Sequence, residues 1–311
     1  MAPVTAPSID VVMVTTNARE VLASSLEHLR RQSVPHTVQL SDNASSDGTA
    51  AMVREDFPEV NLIENAANLG FGRSCNNGAR AGRGEVIVLV NDDMDVEPDF
   101  LERLVAPLRD PRVGMVAGLT LQPGAGVVDG FGIELDPTLN AYNRLRHRSP
   151  GEPPGRLLGP SGGAAAYRRA AWEAAGGFDE AFFVYGEDLD LALRLRHAGW
   201  EAAAAPDARG VHLGGATTGV GSPFQRRNAG FARGFILRRY GVLRSRAAPR
   251  ALLTEALVVG WGLVRHRTTV PLRARVAGWR AAGSQRLRVP PGAVDASITL
   301  REAVRRLASA R

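Results

Sequence analysis

Four short apolar runs, each followed by one stretch of helical spacing, constrain the fold of this chain more than any other feature. Ile9–Thr15 and residues 36–40, 60–63 and 85–90 carry the aliphatic and β-branched side chains of buried strands. Between them, residues 20–31 repeat apolar side chains at Val21, Leu22, Leu26 and Leu29. Thr49–Asp56 reads as a helix with Asp47 or Thr49 near its start, and residues 71–83 read as a helix despite their glycines. Residues 98–108 read as a helix with Pro98 near its first position. One helix between each pair of strands implies right-handed βαβ units and a parallel sheet. Such sheets hold ligands at the carboxyl ends of their strands, where Asp42, Asn65 and Asp92–Asp95 fall.

The pattern then loosens. Val113–Leu121 reads as a further strand, residues 122–129 and 147–163 as Gly/Pro-rich loops, and residues 168–175 and 189–197 as helices. There is no internal repeat. With 311 residues and 44% apolar content, the chain has material for a sizeable soluble core. Its net charge of +6 conceals an asymmetry: residues 241–311 hold 14 Arg against Glu255, Asp295 and Glu302, so the rest of the chain is net acidic. The basic balance belongs to the C-terminal stretch, which points to an anionic partner. The single cysteine, Cys75, excludes an intrachain disulfide and a cysteine-based zinc site. Met1–Ser8 does not look like a secretory leader, and the apolar stretch around residues 256–264 falls short of the ~20 residues that span a bilayer. A cytoplasmic location is expected.

The fourth strand ends in Asn91-Asp92-Asp93-Met94-Asp95. In an extended segment side chains alternate faces, so Asp93 and Asp95 are expected to point together and Asp92 away. Two convergent carboxylates suit Mg²⁺ or Mn²⁺ shared with phosphate oxygens; a solvated acidic turn before Pro98 is the plainer alternative. Three further constellations stand out. Residues 41–49 put Asp42, Ser45, Asp47 and Thr49 in a strand-to-helix loop; Asp42 can accept from an imide or ring N–H, and the others suit helix capping. Asn68-Leu69-Gly70-Phe71-Gly72-Arg73 offers close backbone approach and, in Arg73, a forked phosphate contact. Its Gly-x-Gly lacks the spacing of a dinucleotide fingerprint. An aromatic loop delivers Glu187 and Asp188 to a helix start, where they serve either as complements to the helix dipole or as a base. His212 lies in a Gly-flanked apolar strand near Thr217-Thr218.

Taken in order, these pieces resemble the family 2 glycosyltransferases with a GT-A fold, and among them the rhamnosyltransferase- and galactofuranosyltransferase-like subset of bacterial surface-polysaccharide assembly. The likeness runs from about Ile9 to Tyr240 and rests on Val14-Thr15-Thr16-Asn17, residues 42–49, Asn68-x-Gly70-Phe71, residues 89–95 with Pro98, Gly176-Gly177-Phe178-Asp179-Glu180, Glu187-Asp188-x-Asp190-Leu191, His212 and Arg227-Asn228. It implies an α/β GT-A domain over residues 1–240, a Rossmann-like, mostly parallel sheet flanked by helices. The donor half would span 9–121 and the acceptor half 122–240, with a helical basic extension at 241–311.

The same resemblance implies the roles. Thr15, Asn17, Asp42, Asn68, Gly70 and Asp92 would bind a UDP- or dTDP-linked donor sugar, Asp42 at its nucleobase; Arg73 is added to them on its own chemistry, since the family often has a small residue there. Asp93, Asp95 and His212 would hold the divalent metal. Asp188, with Glu187 beside it, would be the catalytic base, and Gly162, Gly163 and Trp172 would line the acceptor side. The expected activity is inverting transfer of a sugar to a hydroxyl on a glycan, a lipid-linked glycan or a natural product. The alternatives are a catalytically inactive homologue that binds nucleotide sugar or glycan, and, less well matched at residues 15–19, a nucleotidyltransferase. A nucleic-acid partner is not expected, because aromatics are sparse in the basic tail. For that tail two readings stay open: peripheral contact with the inner face of the plasma membrane around Trp261 and Trp279, and a solvated helical cap.

Overall fold

The computed structural model describes residues 7–309 except 125, 153–154, 215–221 and 285. Thr217 and Thr218 therefore lie outside the described residues. A nine-stranded sheet forms the centre. Its first four strands are β1 (Ile9–Thr15), β2 (Thr37–Asp42), β3 (Asn61–Glu64) and β4 (Val86–Val90). They lie in the order β3-β2-β1-β4 and pair in parallel, as βαβ connections demand. Each carries its chain toward one end of the sheet, so Thr15, Asp42 and Asn91 emerge together.

Beyond β4 the sheet departs from the parallel expectation. Strand β10 (Ala164–Arg168) inserts antiparallel between β4 and β6 (Val113–Leu121). The strand β11 (Glu201–His212) then runs parallel to β6, and β5 (Met94–Val96) pairs antiparallel with its end. A short strand β7 (Val128–Gly130) extends β6, and β8 (Ile133–Leu135) and β9 (Ala141–Asn143) form a separate ribbon. The sheet is mixed. Residues 164–167 carried no expectation and Arg168 was expected to begin a helix, because Ala-Ala-Ala-Tyr-Arg lacks the β-branched signature of a strand. Its small residues suit the middle of a crowded sheet, where Ala164, Ala165 and Ala166 are fully enclosed.

Helices cover both faces. On one side α1 (Arg19–Arg30) buries Leu22, Leu26 and Leu29, spaced to share a stripe, and α2 (Thr49–Asp56) and α4 (Phe100–Val105) complete that layer. On the other side lie α3 (Phe71–Ala81), α5 (Arg169–Ala175), α6 (Glu187–His197) and α7 (Pro223–Arg239). The glycines of α3 cost helix propensity but allow close packing: a Cβ on Gly78 would stand 2.6 Å from the Val12 side chain of β1.

The last three helices are α8 (Ala248–His266), α9 (Val270–Ala281) and α10 (Leu300–Ser309). Helix α9 crosses α7 at glycine contacts, where a Cβ on Gly234 or Gly278 would overlap the facing backbone. Arg–carboxylate pairs tie this region to the body: Arg233 and Arg275 both grip Glu255, and Arg250 reaches the fully buried Asp136 at 3.1 Å. No helix among the described residues is long and apolar enough to cross a membrane.

Candidate active site

The carboxyl ends of β1 and β4 open into a cavity of about 420 Å³. Its floor is Thr15, Asn43 and Asn91-Asp92-Asp93; one wall is Asn68, Gly70 and Phe71; another is Thr120, Asp129, Gly130 and Asn143. The Ser161-Gly162-Gly163 turn, residues 183–185 and Glu187, His212 and Phe224 close the remainder.

The acidic run does not stay extended. Asp92 and Asp93 form a turn between β4 and β5, which breaks the alternation that would have aligned Asp93 with Asp95. Asp95 turns instead to α1, accepting from Ser24 Oγ at 2.9 Å with His28 at 3.3 Å, and it does not line the cavity. Asp93 stays at the cavity with Asp92, so the expected Asp93–Asp95 pair is replaced by Asp92–Asp93. Burial, against the help of the Thr15 hydroxyl and with repulsion from Asp93, pushes the Asp92 carboxyl up to about 6.

His212 meets Asp93 across the β11–β5 pairing. Its Nε2 stands 3.1 Å from Asp93 Oδ1, and its Nδ1 contacts Asp129 Oδ2 at 2.8 Å. These two carboxylates, Asp129 foremost, raise the imidazole to about 10 against the cost of burial. Asp129 in turn is held below the usual carboxylate range by His212. Asp129 was not singled out in the sequence. It lies in a three-residue strand amid glycines, and nothing in that pattern distinguishes it from a turn residue. Asp93 Oδ1 is buried, with His212 Nε2 at 3.1 Å as its polar neighbour but no hydrogen bond of good geometry. A buried carboxylate oxygen facing an imidazole nitrogen suits a divalent cation. Among the described residues no three His, Cys, Asp or Glu side chains form a complete cage, so such an ion would take its other ligands from phosphate oxygens and water.

The second charged wall is the start of α6. Gly186, at φ +91°, turns the aromatic loop into the helix and sets Glu187 over Gly72, with the Glu187 side chain against the cavity. Its Oε2 is buried without a partner, and burial plus the charge of Asp188 lift the carboxyl to about 8. Asp188 is raised by burial too, yet it accepts from the backbone N–H groups of Leu189, at 2.7 Å, and Gly162. Of the two acids expected here, Glu187 faces the cavity and Asp188 sits behind Gly162.

The other expected residues divide by position. Thr15, Asn68, Gly70, Gly162 and Gly163 line the cavity. Gly70, at φ +82°, is required: Phe71 N–H donates to the Phe183 carbonyl at 2.7 Å, and a Cβ on Gly70 would overlap that same oxygen. Asn17 and Asp42 brace the rim instead. Asn17 receives Ser46 N–H at 2.7 Å, and the buried Asp42 carboxylate receives the Ser45 hydroxyl. Arg73 points away from the cavity to Glu180 at 3.4 Å, which removes the forked phosphate contact assigned to it. Trp172 is a core residue, edge-on to Tyr167 and Phe178 at 5.1 and 4.9 Å, and does not reach the acceptor side.

A parallel βαβ half with a cavity at its carboxyl edge and acidic groups lining it is an architecture shared by many enzymes, and sequence comparison decides the family. The model of glycosyl transferase family 2 matches residues 10–175. The chain belongs to this family. Its relatives include rhamnosyltransferases. It is 33% identical over 214 residues to the N-acetylglucosaminyl-diphospho-decaprenol L-rhamnosyltransferase of Mycobacterium tuberculosis, covering 60% of this chain and 69% of the relative. It is 25% identical over 296 residues to the O-antigen chain rhamnosyltransferase WbaN of Salmonella anatum, covering 86% and 92%.

Solved structures share the GT-A fold. The mannosyltransferase PcManGT from Pyrobaculum calidifontis, in complex with GDP-Man and Mn²⁺, aligns with TM-score 0.55 at 21% identity over 90% of this chain and 88% of its own. GalNAc-T7 with UDP, GalNAc and Mn²⁺ aligns with TM-score 0.62 at 16% identity, over 87% and 54%. This glycosyltransferase therefore has a mixed-sheet GT-A body whose cavity lies where the fold gathers its strand ends.

Proposed function

We propose that this glycosyltransferase moves a sugar from a nucleoside-diphosphate sugar to a hydroxyl acceptor by direct displacement, inverting the anomeric centre. The observation that carries the reading is the presence of two unlike acidic groups on one cavity: Asp93 with His212 on one wall, and Glu187, with Asp188 behind it, on the other. A bound Mn²⁺ or Mg²⁺ would supply charge neutralisation for the leaving diphosphate. Asp93 and His212 are the protein groups that would hold it, with Asp92 beside them.

The remaining work falls to side chains in place. Thr15 and Asn43 sit where a nucleoside would enter, with Asp42 behind them, and Asn68 and Gly70 bring backbone close to it. Glu187 and Asp188 act as one unit. Two adjacent buried carboxylates cannot both ionise cheaply, and Asp188 has two N–H donors while Glu187 Oε2 has none. Asp188 therefore carries the charge and Glu187 the shared proton. Asp188 is the base in this reading: the acceptor hydroxyl gives its proton to Glu187, the member that faces the cavity, as Glu187 passes its own to Asp188. A diphosphate leaves without protonation, so one base suffices, unlike the two carboxyls of a glycoside hydrolase.

The rhamnosyltransferase relatives favour a dTDP- or UDP-linked deoxyhexose as donor and a lipid-linked glycan as acceptor. The test is a panel of nucleotide sugars with Mn²⁺ and a diphosphate-lipid acceptor, reading free nucleoside diphosphate and the anomeric configuration by NMR. Inverted product is expected. Donor binding with no turnover on any acceptor would instead identify a binding homologue.

A further inference from the structure

The outer face of α8 is a surface that the transfer reaction does not use. Leu252, Leu253, Leu257, Trp261, Leu263 and Val264 are all exposed, Val264 to 82%. Their positions, with Ala256 and Gly260 between them, sweep about half the helix circumference at ~100° per residue. Ala251, Thr254 and Gly262 occupy the opposite, buried side. Leu272 and Val276 of α9 continue the exposed apolar surface. A monomer gains nothing from so many large apolar side chains in water, and contiguous patches of this kind mark interaction sites.

The charge around the patch is one-signed. The sole acid within α8, Glu255, is turned inward and clamped by Arg233 Nε at 2.6 Å and Arg275 Nε at 2.5 Å. Burial alone would raise its carboxyl, but the two guanidiniums hold it below its usual range. Arg244, Arg246, Arg265, Arg267, Arg273 and Arg280 are exposed around the helix pair and pair with no acid among the described residues. The other two acids of the region are engaged: Glu302 with Arg305 and Arg306, and Asp295 with Ser297. An apolar stripe with a basic rim and no free acid is complementary to an anionic bilayer surface. The C-terminal part of α8 is linked to the body: Pro271, at the head of α9, meets both Gly262 of α8 and Gly230 of α7, the helix that carries Phe224 of the cavity wall.

We infer that the exposed face of α8, continued by α9, docks this glycosyltransferase flat on an anionic membrane leaflet. The helix lies in the interface and does not cross it. The inference stands apart from the identity of the sugar or acceptor.

Vesicle flotation tests it. The full chain is mixed with phosphatidylcholine vesicles with or without about one-third phosphatidylglycerol, at low and high salt. The wild type is expected to float with the anionic vesicles and to be released by salt. Leu253→Glu/Leu257→Glu/Val264→Glu should lower partitioning by about 100-fold or more, since three buried apolar side chains are lost. Arg265→Gln/Arg267→Gln/Arg273→Gln should lower it by about 10- to 100-fold on anionic vesicles only. Should the glutamate variant fail to match the wild-type melting curve, Leu257→Gln and the arginine variant carry the test. Flotation equal in wild type and variants overturns the inference. So does a wild-type dimer without lipid, seen by light scattering, that the glutamate variant splits: the face would then belong to a second copy.

Discussion

The two acidic walls of the cavity manage the same problem in opposite ways. At the β4–β5 turn, carboxylate charge is kept and offset by a cation: His212 sits between Asp93 and Asp129 with its imidazole raised to about 10. At the start of α6 no cation among the described residues offsets the pair, and the charge is reduced by holding a proton, so Glu187 rises to about 8 beside Asp188. A wall that keeps its charge is suited to exchange one positive partner for another. A wall that holds a proton between two groups is suited to proton transfer. One cavity thus carries the two capacities that sugar transfer from a diphosphate requires.

This contrast can be broken most decisively at Asp188. Asp188→Asn should lower kcat by ~10²–10⁴ with donor affinity little changed, the span typical of a lost general base; near-normal turnover would remove it from that role. At the other wall, Asp129→Asn keeps the shape but weakens the grip on His212. Mn²⁺ affinity, read by calorimetry without acceptor, should fall by about 10- to 100-fold, as when a partner behind a metal-binding imidazole is lost. An unchanged Kd would show that His212 is not a ligand.

Gly70→Ala tests the bridge between the walls. A methyl group overlapping the Phe183 carbonyl at a left-handed φ should cost about 2–4 kcal/mol of stability in a denaturant melt. A smaller effect follows from Glu187→Gln. Glu187 is already protonated when Asp188 titrates, so a neutral side chain there leaves the acidic limb of the kcat–pH profile in place and removes the inflection near 8 that Glu187 ionisation contributes. An inflection near 8 that survives would mean that another group titrates there and the two carboxyls do not share a proton. The smallest change is expected at Arg73→Ala. The residue faces Glu180 at the surface, so donor KM should hold and stability should change by less than about 1 kcal/mol.

Much of the first half was readable because its signal is local. Strands β1, β2 and β4 are rich in β-branched residues, the helices between them have regular stripes, and the strand ends carry the motifs Asp42–Thr49, Asn68–Phe71 and Asp92–Asp95. The errors are equally physical. Arg73 belongs to a helix whose cavity side is glycine, so its long side chain leaves on the other side and finds Glu180. Trp172 lies on a helix that packs inward, and its neighbours Tyr167 and Phe178 come from β10 and from the loop before α6. Asp95 was paired with Asp93 on the assumption of an unbroken strand, and a two-residue turn sent it to Ser24 and His28.

The sequence by itself determined the parallel βαβ half, the family motifs and the chemical inventory, since strand periodicity and a βα loop are set by residues a few positions apart. Only the tertiary structure decided which inventory members meet. Asp93, Asp129 and His212 are separated by dozens of residues and converge because β5 and β7 attach to β11 and β6 through ladders of three and two residue pairs, too short to leave a pattern. The inward turn of Glu255 is of the same kind. Whether α8 presents an acid or a clean apolar face depends on Arg233 and Arg275 of two other helices, and no window of sequence contains all three.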